Sequence, residues 1–330
     1  YRCLSFLDKH RENLQIWMHD RIKKNYGRDT SLIYYDVTNY YFETDEQNDF
    51  LHKGISKEHR PNPIIQMGLF MDRHGIPLSM SLNPGNQNEQ LSAVPTEEKM
   101  MKSFKNKQLM YCADAGLWSC DIRRFNSFGS RAFIVTQSIK KLSDPLKEAV
   151  FNDCDYRLLS NDQPMSLETM KTFDRMDEKN LNLYNDKIYK VLPADKLVDL
   201  GLEETYLTQT GKERIRKAKG SLKQYVIIIF SRKSMEYQRA IREKQVERAR
   251  KLITSNKVDK LGKNQNDPKR FIKKDKRSKD TYLLDEEKIA EESQYDGFYA
   301  IATNLDASEE ARQIIEINSQ RYMIEDCFMI

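Results

Sequence analysis

The residues best suited to chemistry in this chain are acidic ones set among apolar neighbours. Ser31-Leu-Ile-Tyr-Tyr-Asp36-Val-Thr-Asn-Tyr-Tyr-Phe-Glu43 has the β-branched and aromatic bias of a buried strand, with an ionisable aspartate inside it. Desolvating that carboxylate is costly unless it is paired or holds a metal. Read alone, Asp36 serves equally well as a turn-capping residue. A second carboxylate, Asp114, closes the strand-like run Lys107-Gln-Leu-Met-Tyr-Cys-Ala-Asp114, and a third, Glu325, follows Arg321 on a helix-like segment. In isolation Arg321 and Glu325 read as a structural ion pair on one helix face, beside Ile314, Ile317 and Phe328. Three such carboxylates together suit Mg²⁺ or Mn²⁺, which take one or two carboxylates each and keep waters and substrate phosphates. Two such ions activate a nucleophile and stabilise a leaving oxygen in phosphoryl transfer on a nucleic acid.

These side chains have to be positioned by the elements that carry them. Residues 1–27 read as a helix, with Leu4, Leu7, Leu14, Trp17 and Ile22 near helical spacing. Strict alternation along the Asp36 strand places Leu32, Tyr34, Asp36 and Thr38 on one face and Ile33, Tyr35 and Val37 on the other. Residues 44–62 are polar and turn-rich; Ile64–Met71 and Ile76–Leu82 form a hairpin about Asp72-Arg-His-Gly75. A helix over 87–104, the Asp114 strand, a helix from Leu117 to Phe128 and a strand Arg131–Thr136 follow. This order is that of a ribonuclease-H-like mixed sheet flanked by helices, in which the first and fourth strands are neighbours and Asp36 meets Asp114.

From Ser138 the pattern becomes charged and irregular, with a strand at Lys187–Leu192, a buried strand Tyr225–Phe230 and a long helix from Ser234 to Thr254. Gly297–Thr303 returns to strand character, and Asp306-Ala-Ser-Glu309 opens the last helix with a capping-box-like spacing. The organisation expected is an N-terminal helical segment (1–30), a first part of the core (31–137), a large β-containing insertion (138–295), and the last strand and helix of the core (296–330).

At 330 residues with a net charge of +5, the chain can bury a sizeable core and carries a modest basic excess that permits a polyanionic partner. A mean hydropathy of −0.76 and the lack of any apolar run of spanning length argue against a membrane protein. Five cysteines without a Cys-x-x-Cys pair read as reduced thiols in a cytoplasmic protein. Tyr1 opens inside one helical pattern and Ile330 closes inside another, so both ends read as cut from a longer polypeptide.

Four ordered motifs resemble the DDE transposases of bacterial insertion sequences, in the group marked by Tyr-x2-Arg-x3-Glu-x6-Lys. They are Tyr35–Glu43, Pro84-Gly-Asn86 with Glu89, Ala113-Asp-Ala-Gly-Leu-Trp-Ser119, and Ile315–Glu325. The resemblance implies that Asp36, Asp114 and Glu325 are the catalytic, metal-binding triad for two Mg²⁺ or Mn²⁺ ions. It makes Arg321 the signature arginine, contacting DNA phosphate or orienting Glu325. The activity implied is cleavage at mobile-element ends and transfer of the 3′-hydroxyl strand to target DNA. The partners implied are double-stranded DNA, as terminal inverted repeats and target, and a second copy of the chain in a synaptic complex at the bacterial nucleoid. Asn318 stands where the signature has tyrosine, and the signature lysine falls at position 332, two beyond the end. A truncated, inactive DNA-binding remnant and a ribonuclease-H-like nuclease without strand transfer are the alternatives.

Other features are blander. The basic runs Lys269–Lys279 and Lys212–Lys219 read as solvated loops able to meet phosphate. His52 and His59 lack metal-ligand spacing, Trp118 reads as a helix-start core contact, and Gly85 and Asn86 set a turn. Glu43 and Glu89 are assigned no chemistry.

Overall fold

The computed structural model describes residues 1–58, 60–105, 108–114, 116–117, 119–195, 203–208, 212–217, 220–255, 258, 261–262, 267–275 and 281–328. The chain opens with α1 (Arg2–Lys9) and α2 (Arg11–Tyr26), so the single helix expected over 1–27 divides at His10. The core elements follow as β1 (Leu32–Tyr41), β2 (Ile64–Asp72), β3 (Pro77–Pro84), α3 (Gln90–Phe104), β4 (Gln108–Ala113), α4 (Cys120–Phe125) and β5 (Ser130–Gln137). The stretch read as irregular holds α5 (Asp144–Phe151), β6 (Arg157–Leu158), α6 (Leu167–Thr172), α7 (Leu181–Asn185), β7 (Ile188–Pro193), β8 (Glu203–Leu207) and β9 (Glu213–Lys217). Then come β10 (Tyr225–Phe230), α8 (Arg232–Thr254), β11 (Ile272–Lys274), β12 (Tyr282–Leu284) and α9 (Glu286–Ser293). The chain closes with β13 (Phe298–Thr303), α10 (Ala307–Ser319) and α11 (Tyr322–Phe328).

This is an α/β architecture with a large mixed sheet flanked by helices. The sheet order is β3-β2-β1-β4-β5-β13-β10-β7-β6, and β8-β9 and β11-β12 are separate two-stranded ribbons. Two units divide the chain: one holds Tyr1–Leu146, Val191–Ile227 and Ile301–Ile330, the other Lys147–Lys190 and Ile228–Ala300. Residues 191–227, inside the stretch read as an insertion, therefore belong to the first unit.

In the first unit β1 is the central strand. It runs antiparallel to β2 and parallel to β4, and β4 runs parallel to β5. Ile33, Tyr34, Tyr35 and Val37 are all buried, because a strand covered on both faces needs apolar side chains at every position. The alternation of faces holds: the Tyr34 hydroxyl donates to the Ile317 carbonyl of α10, whereas the Tyr35 hydroxyl pairs with Ser92 Oγ of α3 at 2.7 Å. Tyr35 also packs on Phe70, with ring centroids 4.3 Å apart. The β2–β3 hairpin closes on Asp72, whose carboxylate accepts the backbone N–H groups of His74 and Ile76 and the buried Arg28 guanidinium at 2.8 Å. Gly75 takes φ +79°, the left-handed backbone this turn requires.

In the second unit α8 starts at a Ser231 cap, whose hydroxyl accepts the Ser234 N–H. Ala249, Val258, Phe271 and Ile272 form a small core with Val246, Leu252, Tyr282, Leu284 and Ile289 packed around it. Arg242 forks onto both oxygens of Asp296 at 2.5 Å each, a desolvated pair in which neither side chain is more than 12% exposed.

Candidate active site

The parallel register of β1 and β4 pairs Tyr35 with Ala113. Asp36 is the next residue on β1, and Asp114 is the next after β4, so the two aspartates lie side by side where the β1–β4 pairing stops. Asp114 follows the end of its strand, but Asp36 does not sit near the end of β1 as the sequence suggests: it is the fifth of ten residues, and β1 runs on along β2 to Tyr41. The preceding residues, Ile33–Tyr35 and Tyr111–Ala113, are wholly buried and carry the chain through the core. Asp36 keeps 19% of its side chain exposed and Asp114 48%.

The two carboxylates sense each other. Burial raises the pKa of Asp36, the Lys57 ammonium and the Val37 N–H lower it, the charge of Asp114 raises it, and that of Arg321 lowers it. The Val37 N–H donates to Asp36 Oδ1 at 2.7 Å. Lys57 Nζ stands 4.0 Å from Asp36 Oδ2 and donates to the Val37 carbonyl. Arg321 makes an ion contact through Nη1 with Asp114 Oδ1; that nitrogen and Nε are buried without a hydrogen bond of good geometry, so the contact is one of charge. Each aspartate therefore has its own cation.

The last helix departs from expectation. The sequence spacing puts Arg321 and Glu325 one turn apart on a single face, but the helix breaks at Gln320–Arg321 and Glu325 falls in the first turn of α11. At the break the Ile317 carbonyl, which would accept the Arg321 N–H in a continuous helix, accepts the hydroxyl of Tyr34 from β1 and the Gln320 N–H instead. The N–H groups of Arg321, Met323 and Ile324 then bond three residues back, a 3₁₀ pattern. Ile324 is fully buried where α11 packs on β1, and its neighbour Glu325, rotated by about 100° on the helix, is exposed. Asn318, the penultimate residue of α10, has a buried Oδ1 with no hydrogen-bond partner among the described residues.

Carboxylate oxygens at Asp36 and Asp114 are the donors a hard divalent cation takes, so their chemistry fits Mg²⁺ or Mn²⁺. Among the described residues no three His, Cys, Asp or Glu side chains converge closely enough to hold a metal ion, and Glu325 does not complete the pair. Glu89, to which sequence reasoning assigned no chemistry, lies nearer the site than that reasoning suggested. It precedes α3; burial raises its pKa, Lys57 lowers it and the charge of Asp36 raises it. The start of α3 is tied to both aspartate strands, by Ser92 to Tyr35 and by Gln90 Nε2 to the Gly116 carbonyl at 2.7 Å. The sequence carries a signal for it, since Glu89 belongs with the Pro84-Gly-Asn86 motif in the turn that starts the helix after the hairpin.

His59, Trp118, Ala218, Lys219 and residues 276–279 of the longer basic run lie outside the described residues. His52 pairs its backbone with Ile64. No helix among the described residues is long and apolar enough to cross a membrane. Compared with known proteins, the chain matches no protein-family model and no curated protein.

Proposed function

We propose that the chain is a DDE-type DNA transposase with a ribonuclease-H-like core interrupted by an insertion, acting on double-stranded DNA in the bacterial cytoplasm. The observation that carries this reading is the strand order β3-β2-β1-β4-β5 with Asp36 and Asp114 one residue past a parallel register pair. Two carboxylates side by side where the β1–β4 pairing stops, with Arg321 reaching one of them from the last helices, are what phosphoryl transfer on DNA needs. Asp36 and Asp114 would hold the divalent ions, and Glu325 is the candidate third ligand. When bound, the ions supply charge neutralisation and activation of the attacking oxygen.

The residues of this chain then have separate duties. Asp36 and Asp114 would hold the ions, Arg321 would pass from Asp114 to a backbone phosphate, and the buried aromatic layer of Tyr34, Tyr35 and Tyr111 keeps the two strands fixed. No covalent protein intermediate is needed, because water and then the 3′-hydroxyl serve as nucleophiles. Two DNA ends are joined to one target, so a homodimer is the assembly this chemistry requires.

The test is nicking of supercoiled plasmid in Mn²⁺ by the purified chain and by Asp36→Asn. The wild type should nick, and the variant should fall by at least 100-fold while retaining DNA binding in a gel shift. Undiminished nicking by Asp36→Asn sinks the assignment. The exposure of Glu325 favours a second reading, an inactive DNA-binding remnant; its signature is a wild type that shifts DNA but does not nick it. Nicking without joined products on a substrate ending in a free 3′-hydroxyl identifies a nuclease without strand transfer.

A further inference from the structure

Lys57 lies in the polar loop between β1 and β2, and it is held there more firmly than a surface lysine requires. Its N–H donates to Asn39 Oδ1 at 3.3 Å, and Asn39 Nδ2 donates to the Ile55 carbonyl at 3.4 Å, so one side chain of β1 grips the loop on both sides of Ser56. Ser56 is buried, and its hydroxyl accepts the Glu58 N–H at 3.2 Å. Just upstream, Gly54 packs against the Gly85 carbonyl closely enough that any Cβ would overlap it. The loop is thus seated from Gly54 to Glu58, and the lysine stem rises from a fixed base.

The ammonium is placed for exchange. It donates to the Val37 carbonyl and stands 4.0 Å from Asp36 Oδ2, beyond hydrogen-bond reach of the carboxylate, with half the side chain exposed. A pair of that kind adds little to stability. Its three donors and flexible four-carbon stem let it turn to another anion without moving the loop. A divalent ion that binds Asp36 takes over the charge Lys57 now answers, and a DNA backbone brings anionic non-bridging oxygens to the same place.

We propose that Lys57 is a phosphate-contacting residue, which leaves Asp36 when a divalent cation binds there and takes a non-bridging oxygen of the DNA strand at the site. This rests on the metal-dependent reading of Asp36 given above. It makes Lys57 and Arg321 a pair of cations, one for each aspartate, both released to the substrate by the same event.

The experiment is calorimetric titration of Mn²⁺ into the full chain without DNA, for the wild type, Lys57→Met, Lys57→Arg and Asp36→Asn, each checked for fold by circular dichroism. Lys57→Met should bind Mn²⁺ about fivefold more tightly, because a competing charge 4 Å away has gone, and Lys57→Arg should stay within about twofold of wild type. In plasmid nicking with Mn²⁺, Lys57→Met should lose at least tenfold in rate and Lys57→Arg should recover part of it. Unchanged Mn²⁺ affinity in Lys57→Met, with Asp36→Asn defective, overturns the proposal and leaves the metal site standing. Equal Mn²⁺ binding by Asp36→Asn and the wild type overturns the metal reading itself, and the Lys57 proposal with it.

Discussion

Arg321 reaches from the break between α10 and α11 to the carboxylate of Asp114 at the end of β4, and the same guanidinium lowers the pKa of Asp36 one strand away. One side chain on the last helices is thereby coupled to both aspartates. Replacing it by Arg321→Gln removes a stabilising positive charge, so Asp36 should titrate at higher pH than in the wild type. Carbon-detected NMR titration of labelled aspartate carboxyls reads this directly.

Asp114→Asn should move Asp36 the opposite way. The Asp114 charge opposes ionisation of Asp36, and without it Asp36 should titrate at lower pH. An unmoved Asp36 in this variant would show that the two carboxylates do not share a site.

Glu97 on α3 gives the pH dependence of the fold. It is fully buried, its Oε2 accepts from Asn126 Nδ2 at 3.0 Å, and Oε1 has no partner. Burial pushes its pKa up to about 7 from an ordinary 4.5. An acid whose folded pKa is raised holds its proton in the fold while the unfolded chain has released it. Stability therefore falls as pH rises from about 4.5 to about 7, by up to roughly 3 kcal/mol. Glu97→Gln should flatten denaturant-measured stability across that window and leave the slope outside it unchanged.

Tyr34→Phe deletes the hydroxyl that occupies the Ile317 carbonyl at 3.0 Å. The loss should cost about 1 kcal/mol in chemical denaturation. It should also shift the backbone amide resonances of Gln320 and Arg321, because the Ile317 carbonyl loses one of its two donors and keeps the Gln320 N–H.

Gly85→Ala tests the seat beneath the Lys57 loop. A Cβ there would overlap the Ile64 carbonyl and approach the His52 carbonyl to 2.6 Å. Neither backbone atom can give way cheaply, so the variant should lose about 1–3 kcal/mol of stability. Its Mn²⁺ affinity should change in the same direction as that of Lys57→Met.

Much of this was legible in the residues. The β1 and β4 runs are so strongly biased toward buried strand that both strands, and Asp114 at the end of β4, are legible in the residues, whereas Asp36 falls in the middle of β1 rather than near its end. The hairpin about Gly75, the strand Tyr225–Phe230, the long helix after it and the Asp306 cap, whose carboxylate accepts the Ser308 N–H, fall close to expectation. The helix expected from Leu117 to Phe128 is only the short α4. What escaped depends on contacts distant in sequence. Ile317–Arg321 contains no glycine or proline to announce a break; the break is imposed by a tyrosine hydroxyl from β1. Lys57 reads as one more charge in a polar loop until Asn39 brings the loop to β1. The short helices α5, α6, α7 and α9 have too few turns for a periodic pattern to stand out from their charged surroundings.

The joint at Gln320–Arg321 takes the arginine and the glutamate off a single helical face. In an uninterrupted helix the arginine and the glutamate would turn as one body, and any rotation bringing Glu325 toward the aspartates would carry Arg321 with it. Here Ile314 and Ile315 anchor α10 while Ile324 anchors α11, and the arginine sits at the joint between them. The fixed seat of Ile324 beside an exposed Glu325 means that the Arg321 contact with Asp114 is made without the glutamate taking part.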